Sequence, residues 1–249
     1  YRILLSSTSV KKREIDNIWQ NFYSSYFKNI DYKTLAWHTE ELHKRTSSKS
    51  LVKIKISLQP SIEETSQLMI YTKDRPNVFG SILSILDKNN LQILDAKLHE
   101  TKDKNCIDSI TICDLKGHHI NKNLELINKL EKDLSSLLDN KNLKQQNTVR
   151  RFPNKLKSFQ TNTVIKIKHD MTNRWTQMDI ETLDGPGKLL TITNVLSQHK
   201  ASIIKARIST LGERVEDRFC ITSEQGTPFI KQAELNKLVT NLKNTLDAT

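Results

Sequence analysis

Two short stretches place an aspartate, a proline and small residues where a strand would end and a helix would begin. The sharper one contains Asp184, Gly185, Pro186 and Gly187. Proline pre-sets a turn, and glycine allows backbone angles and close approaches that other residues avoid. The free N–H groups at a helix start can bind a carboxylate or another anion. The alternative is a plain strand–helix turn with the aspartate as helix cap.

The second stretch shows that this unit occurs twice in the chain. It contains Asp74, Pro76 and Asn77, and the offset between the copies is 184 − 74 = 110 residues. At this offset further residues match, and after one dropped residue Asp108 lies over Asp217. A repeat this long indicates one supersecondary unit used twice, which favours a recognition loop over a plain turn. Asn77 stands where Gly187 stands in the other copy, so the first site is expected to be weaker or structural.

The elements around these loops repeat in the same order. Residues 1–48 are interpreted as a helical segment, with apolar spacing of a helix over 14–27 and a second helix starting near Asp31. Residues 49–138 and 161–249 each read strand–strand–helix–strand–strand–helix, and the polar stretch 139–160 is interpreted as a linker. The expected strands and helices are 51–57, 67–71, 78–88, 91–100, 106–115 and 121–138, then 164–168, 176–183, 188–199, 201–210, 215–222 and 231–246.

This order predicts an α+β fold made of tandem ferredoxin-like units. The ferredoxin-like order becomes strand–strand–helix–strand–strand–helix when its last strand moves to the front. Each unit would then have a four-stranded antiparallel sheet with two helices on one face. A side-by-side pair would cover an exposed sheet edge, and at its interface the two loops could meet.

Composition narrows the class of partner. The net charge is +11 and the pI is about 9.5, which invites a nucleic-acid interpretation. The lysines are scattered, however, and the sequence has no RNP-like aromatic motif, zinc-finger spacing or arginine-rich tract. We therefore expect no nucleic-acid partner, with a basic ferredoxin-like binder as a competing hypothesis.

Cysteine usage and hydropathy favour a cytoplasmic protein without a membrane partner. Cys106, Cys113 and Cys220 all fall in strand-like runs, as expected of buried free thiols in a reducing compartment. No apolar run approaches the roughly 18 residues that would span a membrane, and no signal peptide is visible. The chain starts at Tyr1 rather than Met, which suggests a piece of a longer polypeptide.

The repeat resembles an ACT domain, a small regulatory module that commonly binds amino acids. The residues that carry the resemblance are 184–190 and 74–79. Residues 205–219, 35–38, 95–98 and 108–109 further resemble the tandem ACT region of the bifunctional PII uridylyltransferase/uridylyl-removing enzymes. The resemblance covers nearly the whole chain.

The resemblance implies a glutamine sensor. In that family the repeats are expected to sense glutamine, and the catalytic domains add UMP to the PII signal protein or remove it. PII would be a partner only through the parent enzyme, a nucleotidyltransferase and hydrolase that uses Mg²⁺. The ligand-binding residues that the resemblance implies are Asp184, Gly185, Pro186, Gly187, Lys188, Leu189, Ile203, Ala206, Asp74, Asn77, Val78, Phe79 and Asp95.

The chain itself offers no catalytic residues. It lacks a Gly-Ser motif followed by an Asp-x-Asp pair, which metal-dependent nucleotidyl transfer needs. His169–Asp170 is a lone pair without partners for a metal set, so we expect no metal and no cofactor in this chain. The alternative function is a stand-alone amino-acid-binding protein with tandem ACT repeats and no catalytic partner.

Overall fold

A computed structural model describes residues 8–45, 49–57, 65–75, 78–140, 163–169, 175–183, 185, 187–211, 214–223, 225–229 and 231–248. Within them the elements are α1 (Lys12–Trp19), α2 (Ser24–Asn29), α3 (Tyr32–Lys44), β1 (Leu51–Ser57), β2 (Thr65–Lys73), α4 (Val78–Lys88), β3 (Leu91–Glu100), β4 (Asn105–Asp114), α5 (Leu124–Asp139), β5 (Val164–His169), β6 (Thr176–Leu183), α6 (Lys188–Gln198), β7 (Ala201–Leu211), β8 (Arg214–Ser223) and α7 (Gln232–Asp247).

The described strands form one antiparallel sheet in the order β1-β2-β4-β3-β7-β8-β6-β5. Each half is a four-stranded sheet with its first strand beside its second, as expected for a ferredoxin-like unit whose last strand has moved to the front. The α+β class is therefore confirmed, and the architecture is consistent with tandem ferredoxin-like repeats. We call β1–β4 with α4 and α5 the first half, and β5–β8 with α6 and α7 the second half.

The halves join edge to edge through β3 and β7. The pairs are Asp95 with Ser209, Ala96 with Ile208 and Lys97 with Arg207. In each pair the two residue numbers add up to 304 (95 + 209 = 97 + 207 = 304). The repeat offset of 110 makes Arg207 the equivalent of Lys97 (97 + 110 = 207). Equivalent residues therefore face each other, and a local two-fold axis passes through the middle of the sheet.

One face of the sheet is covered by helices from both halves. Helices α5, α4, α6 and α7 form a continuous layer, with α4 against α6 at the junction. Alternate strand residues such as Leu68, Ile70, Ile110 and Phe219 point into this layer and are fully buried. A single hydrophobic core thus runs through both halves.

The opposite face of the sheet is apolar and covered in the first half but charged in the second half. In the first half Met69, Tyr71 and Ile107 are buried under the helical segment α1–α3. The equivalent residues of the second half are Asp179, Glu181 and Glu216 (69 + 110, 71 + 110 and 107 + 109). There, ion pairs join Lys166 to Glu181 at 2.6 Å, Lys168 to Asp179 at 3.2 Å and Arg218 to Asp179 at 2.7 Å. The charged face suits water, whereas the apolar face requires a cover.

The helical segment differs from the prediction at one point. Residues 14–27 were expected to form one helix, but α1 and α2 are separated by a turn. At that turn the backbone oxygen of Asn21 accepts from Lys102 N at 2.7 Å, and that of Gln20 accepts from Lys102 Nζ at 2.8 Å. The expected start of the next helix is confirmed, because the Asp31 side chain accepts hydrogen bonds from Lys33 N and Thr34 N.

Polar groups attach the helical segment to the sheet. A 2.6 Å hydrogen bond joins Tyr26 Oη and His38 Nδ1 in its buried interior. Burial, followed by the charge of Lys55, lowers the pKa of His38 to about 3, so its imidazole is neutral. Gln67 Nε2 of β2 donates to Thr34 Oγ1 of α3 at 3.2 Å.

The three cysteines are free thiols, as expected. Cys106 and Cys113 are buried and Cys220 is half-buried. In the part of the chain described here, no helix has the length and apolar character to cross a bilayer.

Candidate functional site

A cavity of about 770 Å³ opens at the junction of the two halves. It lies at the edge of the sheet where β2 ends, β3 ends and β7 begins, between helices α4 and α6. The start of α2 forms part of its rim through Tyr23, Ser24 and Ser25. Both halves and the helical segment therefore contribute to the lining of this cavity.

The first loop is held at the cavity by backbone hydrogen bonds. Asp74 N donates to Lys104 O at 3.1 Å in the β3–β4 turn. The Arg75 guanidinium donates to Leu138 O and, at 2.7 Å, to Asn140 O. These carbonyls belong to the end of α5, where a helix leaves its acceptors unsatisfied and favours a cation. The Arg75 side chain is therefore attached to the end of α5, and α4 begins at Val78 with its first residues facing the cavity.

The first half gives the cavity an acidic side. Asp74, Glu100 and Asp108 line it, and Lys104 Nζ lies 3.9 Å from Glu100 Oε1. Partial desolvation and then the charge of Glu100 raise the pKa of Asp74, which lies at the mouth. Asp108 is only 2% exposed, and burial followed by the charge of Asp74 raises its pKa well above the usual value. These carboxylates make the first half suitable for a cationic group.

The second half gives the cavity a basic side. Lys200 and Lys205 line it at the start of β7. Lys205 Nζ lies 4.1 Å from the centre of the Trp175 ring, a cation–π contact that orients the ammonium group. Burial, followed by the charges of Lys205 and Lys97, lowers the pKa of His99 in the cavity wall to about 4. The positive charge here therefore comes from the lysines and suits a carboxylate.

Apolar and hydroxyl groups lie between the two charged sides. Val78 and Phe79 of α4 are buried and line the cavity together with Leu98 and Ile203. Hydroxyl groups are contributed by Thr193, Ser197 and Thr222. Such a site combines an apolar surface with a few polar groups, as small-molecule sites usually do.

In the structure, residues of the first loop lie at the same cavity as Ile203. Asp74, Val78, Phe79 and Ile203 line one cavity, whereas Asn77 lies outside the described residues. The second loop, at Asp184, does not share this cavity with Ile203. Strands β6 and β7 are both antiparallel to β8, so the end of β6 and the start of β7 lie at opposite edges of the sheet.

For the same reason, the two loops do not meet. Five antiparallel steps separate β2 from β6, so these strands end at opposite edges. Asp184 and Pro186 lie outside the described residues. Gly187 has φ 75°, a left-handed conformation that glycine adopts without strain, and Lys188 and Leu189 begin α6 from it. Lys188 Nζ donates to Leu246 O at 3.3 Å.

Asp95 and Ala206 lie in β3 and β7, the strands at the junction of the two halves, and not in either loop. Asp95 Oδ2 lies 3.6 Å from Lys97 Nζ beside the local two-fold axis, while burial raises the pKa of its carboxyl. Ala206 is buried in β7. Gly185 is half-buried near the Lys188 side chain, whose Cε would lie 3.2 Å from an added Cβ. A ligand role for these residues remains a prediction.

Sequence reasoning missed Asp108, Lys200, Lys205 and Trp175. Asp108 carried a usable signal, because it lies on the buried face of β4 in line with Cys106, Ile110 and Ile112. A charged residue in an apolar stripe is rare unless it is paired or functional. The two lysines carried none, because they resemble the many scattered lysines of the chain.

Comparison with known proteins gives a consistent set of relatives. No protein-family profile matches the chain. The bifunctional uridylyltransferase/uridylyl-removing enzymes of Photobacterium profundum and Vibrio cholerae are each 31% identical to it, over 229 and 232 residues, and that of Acinetobacter baumannii (strain AYE) is 28% identical over 237. These matches cover 92%, 93% and 94% of the chain but 25%, 26% and 26% of the relatives. The chain thus spans about a quarter of the length of the curated relatives it matches.

Proposed function

This chain is homologous over nearly its whole length to one segment of the bifunctional uridylyltransferase/uridylyl-removing enzymes, and on that premise we propose that it is the glutamine-sensing regulatory region of such an enzyme. Residues 49–138 and 161–249 would be its two ACT repeats, with 1–48 leading in from the catalytic domains and 139–160 as linker. The parent enzyme would attach UMP to the PII signal protein when glutamine is scarce and remove it when glutamine is abundant.

The observation that carries the proposal is the bipolar cavity at the junction of the two halves. Free glutamine has an ammonium group, a carboxylate and a neutral carboxamide. The acidic side with Asp74 and Asp108 suits the ammonium group, and the basic side with Lys200 and Lys205 suits the carboxylate. The Thr222 hydroxyl is available for the carboxamide, whereas the Thr193 hydroxyl donates to Leu190 O at 3.0 Å and could only accept from it.

The arrangement suggests how the ligand would act. Its two charged ends would contact different halves of the sheet, and its neighbours would include the start of α2. A ligand shifts an equilibrium between two states only by the difference in its affinities for them. Glutamine would therefore favour the placement of the halves and of the helical segment in which both charged ends are paired.

Catalysis would belong to other parts of the parent enzyme. Within the residues described, no group of three or more His, Cys, Asp or Glu side chains could hold a metal ion. The Mg²⁺ that we expect for UMP transfer would therefore be bound by catalytic domains, and this region would control them.

Titration calorimetry with glutamine tests the proposal, with glutamate and serine as controls. We expect saturable heat from glutamine alone, with about one molecule bound per chain. Lys205→Met should weaken binding about 10-fold or more, because a charge-assisted contact typically contributes this much. Lys166→Met, which removes an exposed lysine on the open face of the second half, is the matched control. Absence of glutamine heat, or equal effects of the two variants, would contradict the proposal.

A further inference from the structure

We propose that the buried carboxylate of Asp108 is the group that binds the ligand's ammonium, and that it restricts the site to molecules with a primary ammonium group. The inference rests on the proposed function and deepens it, because it names the determinant of ligand class. It depends on where β4 places this one side chain and on what surrounds it.

Among the residues that the structure describes, Asp108 has apolar neighbours in the sheet and no pairing partner. On its two sides in the sheet, it is in register with Ile70 of β2 and Leu98 of β3, which are both buried and apolar. Among the described residues, none donates a hydrogen bond to its carboxylate or forms an ion pair with it. Its accessible side faces the cavity.

The charges around Asp108 favour the binding of a cation. After burial, the charge of Asp74, another acid, raises the pKa of Asp108 and so opposes its ionisation. The cavity lysines stand on the β7 side, where Lys205 is held over Trp175. A buried carboxylate next to a second carboxylate is unfavourable unless it is paired. An ammonium group between Asp74 and Asp108 would reduce the repulsion between the two acids and donate hydrogen bonds to them.

The size and shape of the ligand's cation follow from the same surroundings. Val78, Phe79 and Leu98 border the acidic side of the cavity. A compact ammonium can reach a carboxylate in the sheet between such side chains, and its three donors match two carboxylates. The same ligand without its ammonium group would form no ion pair with Asp108, so it should bind more weakly than glutamine.

The equivalent residue of the second half provides the control. Asp217 is also 2% exposed and lies at the same position in β8. It is not among the residues that line the cavity. Asp217→Asn therefore changes an equally buried acid without changing the proposed ammonium site.

The test is a cycle of calorimetric titrations with two ligands and three proteins. The ligands are glutamine and 4-carbamoylbutanoate, which is glutamine without its ammonium group. The proteins are the unaltered chain, Asp108→Asn and Asp217→Asn. We expect Asp108→Asn to weaken glutamine binding about 10- to 100-fold and to change 4-carbamoylbutanoate binding less than about 3-fold. Asp217→Asn should leave glutamine binding within about 3-fold.

The other outcomes separate this inference from the proposed function. If the unaltered chain binds glutamine and Asp108→Asn binds it equally well, the glutamine sensor stands and the role of Asp108 is refuted. If glutamate or serine binds instead, the sensor proposal fails, and the role of Asp108 is decided with that amino acid and its analogue without the ammonium group. If no amino acid binds, both fail. Should Asp108→Asn not fold, similar affinities of the unaltered chain for glutamine and 4-carbamoylbutanoate would refute the inference.

Discussion

Asp108 should reduce the stability of the unliganded protein while preparing it for a ligand. Replacing it by asparagine keeps the shape and removes a buried ionisable group whose pKa burial and the charge of Asp74 raise. At neutral pH we expect Asp108→Asn to raise the free energy of unfolding by about 1 to 3 kcal/mol. For a chain of this size that corresponds to about 2 to 4 °C in Tm per kcal/mol.

The pH dependence of this gain has a definite sign. The folded-state pKa of Asp108 is raised, so the folded protein binds its proton more tightly than the unfolded chain does. The penalty of the charge is complete above the raised pKa and disappears below the unfolded value. Urea titrations without ligand should therefore show the advantage of Asp108→Asn shrinking as the pH falls through that window. A gain independent of pH, or one equal to that of the half-buried control Asp133→Asn, would contradict this explanation.

At the residue scale, the sequence predicted the loop residues better than the charged residues opposite them. Asp74, Val78 and Phe79 were found from a repeated local motif, and they do line a cavity. Lys205 and Trp175 reach it only because β7 pairs with β3 across the junction. No local pattern encodes which edge strands pair, so these residues could not be chosen from the sequence.

At the scale of elements, helix α4 offers a test of how the cavity is bounded. A Cβ added to Gly80 would lie 3.6 Å from Thr193 Oγ1 of α6, an ordinary contact. Gly80→Ala should stabilise α4 by up to about 1 kcal/mol through helix propensity and leave glutamine binding unchanged. Gly80→Leu should fill the cavity and weaken binding about 10-fold or more. Calorimetry on both variants checks this, and equal binding by the two would show that the ligand lies elsewhere.

Most element bounds followed from local patterns, and the exceptions have a tertiary cause. Helix α4 and strand β3 were predicted with their observed bounds, because apolar spacing and helix-ending residues agree there. The helical segment was not, since its apolar spacing continues through the turn between α1 and α2. That turn exists because Lys102, far away in the sequence, hydrogen-bonds the carbonyls of Gln20 and Asn21.

At the scale of the whole molecule, the continuous sheet should make the two halves unfold together. Trp19 and Trp37 report on the helical segment that covers the first half, and Trp175 reports on the second half. In urea, we expect the fluorescence midpoint of Trp175→Phe, and likewise that of the double variant Trp19→Phe, Trp37→Phe, to agree within about 0.2 M with the far-UV circular dichroism midpoint of the same protein. The reason is that β3–β7 pairing and the shared core connect the reporters. Two separated midpoints would mean that the halves are independent folding units.

The register across the junction also has a consequence for the origin of the chain. Lys97 opposite Arg207, at equivalent positions, is the pattern of an isologous interface, in which one edge pairs with a copy of itself. A single ancestral unit with this edge would have assembled as a homodimer with two identical ligand sites. Gene duplication and fusion would preserve the edge while releasing the two copies from identity. One copy could then keep apolar residues for a helical cover, and the other could exchange them for charges such as Asp179 and Glu181.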